Sequence, residues 1–270
     1  MANVPADWVK AALKVTGHFE DSADPLGAVT GDFDGMGVSL GVLQWNIGSY
    51  SLQPMVAAVG KAHVLAVMPT YGAEFWRACN SNVATGLDIC RGWQSNATLN
   101  SAARKELKAF TSSQPFVDQQ VAKAGTVAQS AYAAAEKFAA ADPGYAAITK
   151  PLFCWFFDLY TQNGGTKGLG YADVAAFIAS NGKDGSDDVI CAWLASRPQL
   201  MAGYRDAHLN ADLWRNKVPD DRLSLFVFSY LRSQLSRPAY RADTMNRKAT
   251  IAVQKGWVHR ELHNLTAMLA

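Results

Sequence analysis

Apolar residues recur at helical spacing in the first twenty positions. The members of this apolar face are three or four residues apart: Trp8, Ala12, Val15 and Phe19. Such spacing places them on one side of a helix. Pro5 stands near the start, where its missing N–H is harmless. The pattern predicts a helix over residues 5 to 20 and puts Glu20 at its C-terminal end, where the helix dipole disfavours a negative charge.

The pattern changes after this helix. From residue 21 to residue 48, Asp, Gly and Ser are interleaved with Val, Leu and Phe, and the segment ends in an alternating run over 38–45. This combination is typical of short strands joined by tight turns. No later segment clearly repeats it, so we expect one minor β element.

Helical spacing returns after Pro54 and dominates the rest of the chain. An Asn/Gly loop is expected to run to Gly92. Further along the chain, helix ends are marked by Pro143 and by the Asn-Gly-Gly run at 163–165. The predicted helices cover residues 54–60, 71–79, 101–112, 115–141, 145–163, 171–180, 187–196, 199–216, 219–235 and 238–254. The sequence therefore predicts a mainly α (α+β) fold.

Composition limits the class of protein. The chain has 270 residues, 49% of them hydrophobic, which is enough for a full core in one large domain. Its net charge is only +2 and its Lys and Arg residues are scattered, so we expect no nucleic-acid partner. No apolar run reaches the roughly 18 residues that a membrane span needs, and no integral membrane segment is expected. Nor do we expect a classical signal peptide, because the N-terminus shows no basic region followed by an apolar core.

The four cysteines suggest two different situations. Cys79 and Cys90 flank the predicted loop and could form a disulfide outside the cytoplasm; the sequence leaves this open. Cys154 and Cys191 lie on apolar helical stretches, where a buried thiol is favoured. There is no Cys-x-x-Cys spacing, and we expect neither a metal nor an organic cofactor.

Glu20 and Asp34 are the main candidates for chemistry. They are fourteen positions apart, 34 minus 20, and the turn-rich segment between them can bring both carboxylates to one cleft. A protonated carboxylic acid opposite an ionised carboxylate is the arrangement that cleaves glycosidic bonds. The alternative is that the two residues only solvate a helix end and a turn, since Asp-Gly is an ordinary turn dipeptide.

The residues around this pair resemble a known family. The run Phe19-Glu20, followed by Asp34-Gly-Met-Gly-Val-Ser-Leu-Gly41, is similar to the catalytic pattern of the chitosanase-like (family 46-like) branch of the lysozyme superfamily. In that branch Phe-Glu ends a helix and an Asp-Gly-x-Gly-x-Thr-x-Gly hairpin follows. The extension Gly-Val-Leu-Gln-Trp-Asn46 is closer still to the muramidase domains of bacterial type VI secretion effectors and phage-related cell-wall hydrolases.

The resemblance implies roles for individual residues. It makes Glu20 the general acid, Asp34 the general base and Ser39, at the family's Thr position, the hydroxyl that holds the attacking water. Serine keeps this hydrogen bond but lacks the methyl group that fixes the rotamer. The segment between the carboxylates is shorter than in typical chitosanases, which leaves Asp32 as a rival base.

The same hairpin supplies the expected substrate contacts. Gln44 resembles the cleft-lining Gln of lysozyme-type strands. Trp45 and Asn46 follow it directly, and we expect a sugar ring to stack there, whereas most other tryptophans belong to the core. Asp32 is a further candidate for substrate binding.

A second patch resembles the same superfamily over residues 156–165. There, a helix of the form Asp-x-x-x-Gln-Asn/His-Gly runs through the core, and its Asp pairs with arginines that brace the catalytic Glu. Asp158 and Gln162 stand at the matching positions. An unpaired carboxylate is costly in so apolar a run, so Asp158 needs a cationic partner. The candidates, best first, are Arg247, Arg241 and Arg232. A purely structural ion pair is the alternative and is compatible with the bracing role.

The resemblance implies a single two-lobed, lysozyme-like catalytic domain over residues 1–270. A cleft hairpin is expected at about 26–48 and a second helical lobe at about 60–150. The expected reaction is hydrolysis of β-1,4 glycosidic bonds in peptidoglycan. We expect inversion, which corresponds to about 6.5–9.5 Å between the two carboxyl groups, whereas about 5 Å corresponds to retention.

The family also suggests a biological setting. A bacteriolytic, antibacterial effector would reach the bacterial periplasm and cell wall by type VI secretion or phage release, and an immunity protein would block its cleft in the producer. A chitosanase is the enzymatic alternative, although balanced charge suits a polycationic substrate poorly. A catalytically silent wall-binding domain is the other alternative. The sequence leaves linkage specificity, delivery route and oligomeric state open.

Overall fold

A computed structural model describes residues 4–20 and 23–270. The structure is 63% helix and 7% strand, which confirms the predicted mainly α fold with a small β component. The chain divides into two compact units. The smaller unit is Thr16–Gly125, and the larger one contains Thr126–Ala270 together with the N-terminal residues up to Val15.

The smaller unit begins with the end of α1 (Ala6–His18), which is followed by a three-stranded antiparallel sheet. Its strands, in spatial and chain order, are β1 (Val29–Thr30), β2 (Ser39–Leu40) and β3 (Trp45–Asn46). The register pairs Thr30 with Ser39 and Ser39 with Asn46. Each strand is short because the glycine-rich turns on both sides leave only two residues to pair.

Helices pack around this sheet and complete the core of the smaller unit. The core includes Leu40 and Ile47 from the hairpin and Phe75, Phe110 and Phe116 from the helices. These later elements are α2 (Gln53–Val59), α3 (Lys61–Val67), α4 (Gly72–Cys79), α5 (Val83–Arg91), the hairpin β4 (Gln94–Ser95) and β5 (Thr98–Leu99), α6 (Ser101–Thr111) and α7 (Gln114–Lys123).

The larger unit is built around a buried helix, α9 (Lys150–Asn163). The aromatic rings of this helix pack against α13, and the Trp155 indole N–H donates to the hydroxyl of Ser229 at 3.0 Å. The elements of this unit that follow α1 are α8 (Gly125–Ala141), α9, α10 (Tyr171–Asn181), α11 (Lys183–Ala195), α12 (Tyr204–Trp214), α13 (Asp220–Gln234), a 3₁₀ turn (Pro238–Tyr240), α14 (Arg241–Val253), β6 (Lys255–Val258), β7 (Glu261–Asn264) and α15 (Thr266–Leu269).

The prediction of a loop that runs to Gly92 is wrong, because most of this segment is helix α5. Asn82 caps this helix, and its side-chain oxygen accepts from the N–H of Thr85 at 2.9 Å. Gly86 lies inside this helix. A glycine is needed there because a Cβ would come within 2.6 Å of the Ala78 carbonyl oxygen. The glycine that suggested a loop therefore permits close helix packing instead.

Other predicted boundaries also need correction. The single helix expected over 115–141 is two helices, α7 and α8, which meet at Gly125, a residue of low helix propensity. The expectation of one β element is wrong, since the described residues form three antiparallel sheets. The strands of the two added hairpins are two to four residues long, too short for alternation to distinguish them from loops.

All four cysteines are free and buried. The disulfide that the sequence left open between Cys79 and Cys90 is therefore absent, and the predicted burial of Cys154 and Cys191 is confirmed. Burial raises the pKa of Cys90, Cys154 and Cys191 to about 12 each. The thiols are accordingly protonated and unreactive at neutral pH.

Within residues 4–20 and 23–270, no helix combines the length and the apolar character that a bilayer span requires. No set of three or more His, Cys, Asp or Glu side chains in these ranges is placed to hold a metal ion.

Candidate functional site

The turn between β1 and β2 carries two of the predicted carboxylates. We call residues 31–38 the acid turn. It holds Asp32 and Asp34, and it leads directly into Ser39, the first residue of β2. The two acids have very different surroundings, although only one residue separates them.

Asp32 holds the acid turn in place. One carboxylate oxygen accepts from the Gly37 N–H at 2.6 Å, and the other accepts from Nε of Arg91 at 2.7 Å. The hydrogen bond and the charge of Asp32 raise the pKa of Arg91. Only 14% of the Asp32 side chain is exposed. Both oxygens of this carboxylate are therefore engaged within the protein.

Gln94, the first residue of β4, braces the same turn. Its side-chain oxygen accepts from the Asp32 N–H at 2.8 Å, and its amide nitrogen donates to the Gly37 carbonyl at 3.0 Å. Gly31 allows the turn to approach the β4–β5 hairpin, because a Cβ at this position would lie 2.2 Å from the Ala97 carbonyl. The acid turn is thus fixed to α5 and β4 at several points.

Asp34 lies at the exposed part of the acid turn. One of its carboxylate oxygens accepts from the Met36 N–H at 3.1 Å, an interaction within the turn itself. The residue is exposed to solvent, unlike Asp32. Asp34 is therefore accessible from solvent, while its backbone is held by the braced turn.

Glu20 follows the last turn of α1. Its N–H donates to the Gly17 carbonyl at 3.0 Å, and its side chain is exposed. A Cβ at Gly17 would lie 1.9 Å from the Pro25 carbonyl oxygen and 3.1 Å from a methyl carbon of Val42. The end of α1 therefore lies against the segment before β1 and against the turn after β2.

Gly17→Ala should disturb this contact. The added methyl group cannot fit at 1.9 Å from a backbone oxygen, so Pro25 must move. Overpacking of this kind costs about 1–3 kcal/mol, and we expect the free energy of unfolding to fall by about 2 kcal/mol in a urea titration. Gly125→Ala is the control, because nothing lies within 4 Å of that position. Equal stability of the two variants would contradict the close approach.

Two further predicted residues serve the hairpin itself. The Gln44 side-chain oxygen accepts from the Thr30 hydroxyl at 2.7 Å, and its amide nitrogen donates to the Gly41 carbonyl at 2.9 Å. The Asn46 side-chain oxygen accepts from the Ser49 N–H at 2.8 Å. Both amides stabilise turns of the hairpin, and their contact with substrate stays a prediction.

Ser39 and Trp45 are buried in the sheet. Ser39 lies in the central strand between Thr30 and Asn46. Trp45 is only 8% exposed and belongs to the hydrophobic core. The expectation that Trp45 lies outside the core is wrong, because the alternation of β3 turns its ring inward, where it packs beside Gly41. Its ring offers almost no surface on which a sugar could stack.

Asp158 has the predicted partner and a second one. The carboxylate is completely buried in the larger unit and accepts from Nη2 of Arg247 at 2.8 Å. The ammonium group of Lys248 donates to the other carboxylate oxygen. Pairing with Arg247 is thereby confirmed, whereas Arg232 instead donates to the carbonyl of Gly165 at 2.8 Å.

The charged side chains of this cluster change one another's pKa values. Burial by itself would raise the pKa of the Asp158 carboxyl, but Arg247 and Lys248 outweigh it and hold that pKa well below its ordinary value. Burial lowers the pKa of Lys248 to about 8 against the opposing effect of Asp158. At neutral pH the cluster therefore contains an ionised carboxylate and charged partners. Its proposed role in bracing Glu20 stays a prediction, as does that of Gln162, which is exposed on α9.

The structure distributes the predicted site over both units. Those in the smaller unit are Glu20, Asp32, Asp34, Ser39, Gln44, Trp45 and Asn46, and those in the larger unit are Asp158, Gln162 and Arg247. Sequence reasoning missed Arg91 and Gln94, which follow Asp32 by 59 and 62 positions and carry no local signal. It also missed Lys248, although this residue directly follows Arg247.

Comparison of the chain with protein-family models, with curated proteins and with solved structures found no match.

Proposed function

We propose that the protein is a glycoside hydrolase that cleaves β-1,4 bonds in the glycan strands of peptidoglycan. The observation that carries this proposal is the contrast between the acids of the smaller unit. The side chains of Glu20 and Asp34 are exposed on segments that the fold holds in place, whereas the Asp32 side chain is only 14% exposed. The resemblance over residues 18–46 assigns the chemistry to the same two exposed carboxylates.

In the proposed mechanism Glu20 is the general acid. It donates its proton to the glycosidic oxygen as the bond from that oxygen to C1 breaks. Asp34 takes a proton from a water molecule, whose oxygen forms the new bond to C1 from the opposite face. The resemblance gives Ser39 the role of holding this water. Ser39 is buried in the central strand, so this role requires a water molecule that reaches its hydroxyl within the sheet. The products are a reducing sugar of inverted configuration and the released chain.

Inversion is the stereochemical outcome that we propose. It requires about 6.5–9.5 Å between the carboxyl groups of Glu20 and Asp34, which leaves room for the attacking water molecule between the acid and the base.

Asp34→Asn and Asp32→Asn decide which aspartate is the base. Asn at 34 cannot accept the proton of the water, and we expect kcat to fall by about 100-fold. Asn at 32 still accepts from the Gly37 N–H and weakens only the ion pair with Arg91, so we expect less than about a 10-fold loss. Initial rates of sugar release from purified sacculi measure both. The reverse order of the two losses would make Asp32 the base.

Mass spectrometry of digested sacculi tests the function itself. A muramidase leaves N-acetylmuramic acid at the reducing end, and a glucosaminidase leaves N-acetylglucosamine. An anhydro end would overturn the role of Asp34, because that chemistry needs no base to activate water. Chitosan is digested in parallel. Inactivity on both polymers, with binding to sacculi retained, would replace the hydrolase with a wall-binding domain. An antibacterial role in the periplasm, with an immunity protein as partner, depends on the first outcome.

A further inference from the structure

Phe33 is exposed in a way that the fold does not explain. Its side chain is 73% accessible, although it stands between two acidic residues in a tightly held turn. The core of the smaller unit is filled by other rings, among them Phe75, Phe110 and Phe116, which are completely buried. Leaving a phenyl ring in water forgoes the stabilisation that its burial would provide. The exposed ring is therefore available to a partner outside the chain.

The backbone on both sides of Phe33 is fixed. Asp32 is bonded through its N–H, its carboxylate and its carbonyl, the last accepting from the Gly35 N–H at 3.3 Å. Asp34 is bonded to Met36. The ring is consequently presented on a prepared backbone, and little conformational entropy is lost when a ligand covers it.

Other apolar side chains are exposed along the same part of the hairpin. Met36 is partly exposed, and its carbonyl accepts from the Gly48 N–H at 3.1 Å. A Cβ at Gly48 would lie 2.6 Å from the Met36 sulfur, so the two turns are in close contact. Tyr50, two residues further on, is 57% exposed. We call Phe33, Met36 and Tyr50 the apolar rim.

A pyranose ring has the chemistry to cover this rim. The axial C–H groups of a β-linked sugar form an apolar face with slight positive charge, which suits the negative face of an aromatic ring. Hydroxyl and acetamido groups at the edge of the sugar remain free to meet water and the polar turn. An anionic ligand is disfavoured, because the carboxylate of the adjacent Asp34 is exposed.

We propose that Phe33 stacks on a neutral sugar ring of the glycan strand and thereby sets substrate affinity beside Asp34. This inference rests on the proposed function and replaces Trp45, which is buried, as the stacking residue.

Binding to an inactive protein tests the inference directly. Glu20→Gln protein is titrated calorimetrically with a soluble hexasaccharide of β-1,4-linked N-acetylglucosamine. Adding Phe33→Ala should weaken binding by about 10-fold, since most of one aromatic contact area is lost. Phe33→Trp should restore it. Leu65→Ala, which removes an exposed apolar side chain of α3 in the same unit, is the control and should leave the affinity unchanged.

Kinetics on sacculi separate this inference from the proposed function. With Glu20 intact, Phe33→Ala should raise KM by about 10-fold and leave kcat within about twofold, because stacking contributes equally to ground state and transition state. Unchanged binding and unchanged KM in an active enzyme overturn the role of Phe33 alone. A fall in kcat without a change in KM also overturns it. A wild-type protein that neither binds the hexasaccharide nor cleaves sacculi overturns the function and the inference together.

Discussion

Asp158→Asn should lower the free energy of unfolding by about 4 kcal/mol. The substitution keeps the shape of the side chain but removes the charge that faces Arg247 and Lys248. Lys248 is completely buried, and breaking a buried ion pair typically costs roughly 3–5 kcal/mol. For a chain of this length the melting temperature should fall by about 10 °C. Urea titration followed by circular dichroism measures the first quantity and a thermal scan the second.

The pH dependence of stability tests the same prediction independently. The pKa of Asp158 lies below its unfolded value of about 3.9. The stabilisation is therefore fully present above about pH 4 and is lost as the pH falls through the lower folded-state pKa. Wild-type protein should lose stability more steeply than Asp158→Asn between pH 4 and pH 2, since the variant has no carboxylate to protonate at this position.

Asp220→Ala is the matched control in the same unit. Asp220 pairs with Lys183 on the surface, where both side chains are more than half exposed. Such pairs contribute about 0–1 kcal/mol, so this variant should be nearly as stable as the wild type. If Asp158→Asn cost no more than Asp220→Ala, the buried cluster would not be a determinant of stability.

The sequence predicted the features that depend on local composition. The apolar run around Asp158 required a cationic partner, and the structure supplies Arg247. The 3.6-residue spacing of apolar positions predicted most of the helices for the same reason. A helix that buries one face shows this spacing among residues that are close in sequence. Gly86 shows the limit, since a glycine that permits close packing and a glycine that forms a loop look alike before the packing partner is known.

The details of the hairpin could not be read in the same way. Asp32, Phe33 and Asp34 are consecutive, yet the Asp32 side chain is bonded within the protein and the other two are exposed. The difference arises from Arg91 and Gln94, which reach the acid turn from distant positions in the chain. Trp45 was misplaced because the side of a two-residue strand that faces the core depends on its pairing partners. Long-range contacts thus decide which hairpin residues are exposed.

Glu20→Gln should reduce kcat on sacculi by about 1,000-fold. Gln has nearly the size of Glu but cannot donate a proton to the leaving oxygen, and general acid catalysis contributes about 10²–10⁴-fold. The residue is exposed at the end of α1, so the change should alter the free energy of unfolding by less than about 0.5 kcal/mol. Rates of dye release from labelled sacculi, with circular dichroism as a check on folding, measure both effects.

A neutral variant elsewhere in the smaller unit completes the experiment. Asp88→Asn removes one exposed negative charge from α5 and should retain nearly the full rate. A large loss in Glu20→Gln together with a normal Asp88→Asn assigns the effect to the acid and not to the net charge of the unit. If Glu20→Gln kept more than about a tenth of the wild-type rate, Glu20 could not be the general acid, because no proton donor would remain at that position. Glu20 and Asp34 would then only solvate a helix end and a turn, which is the alternative interpretation of the sequence.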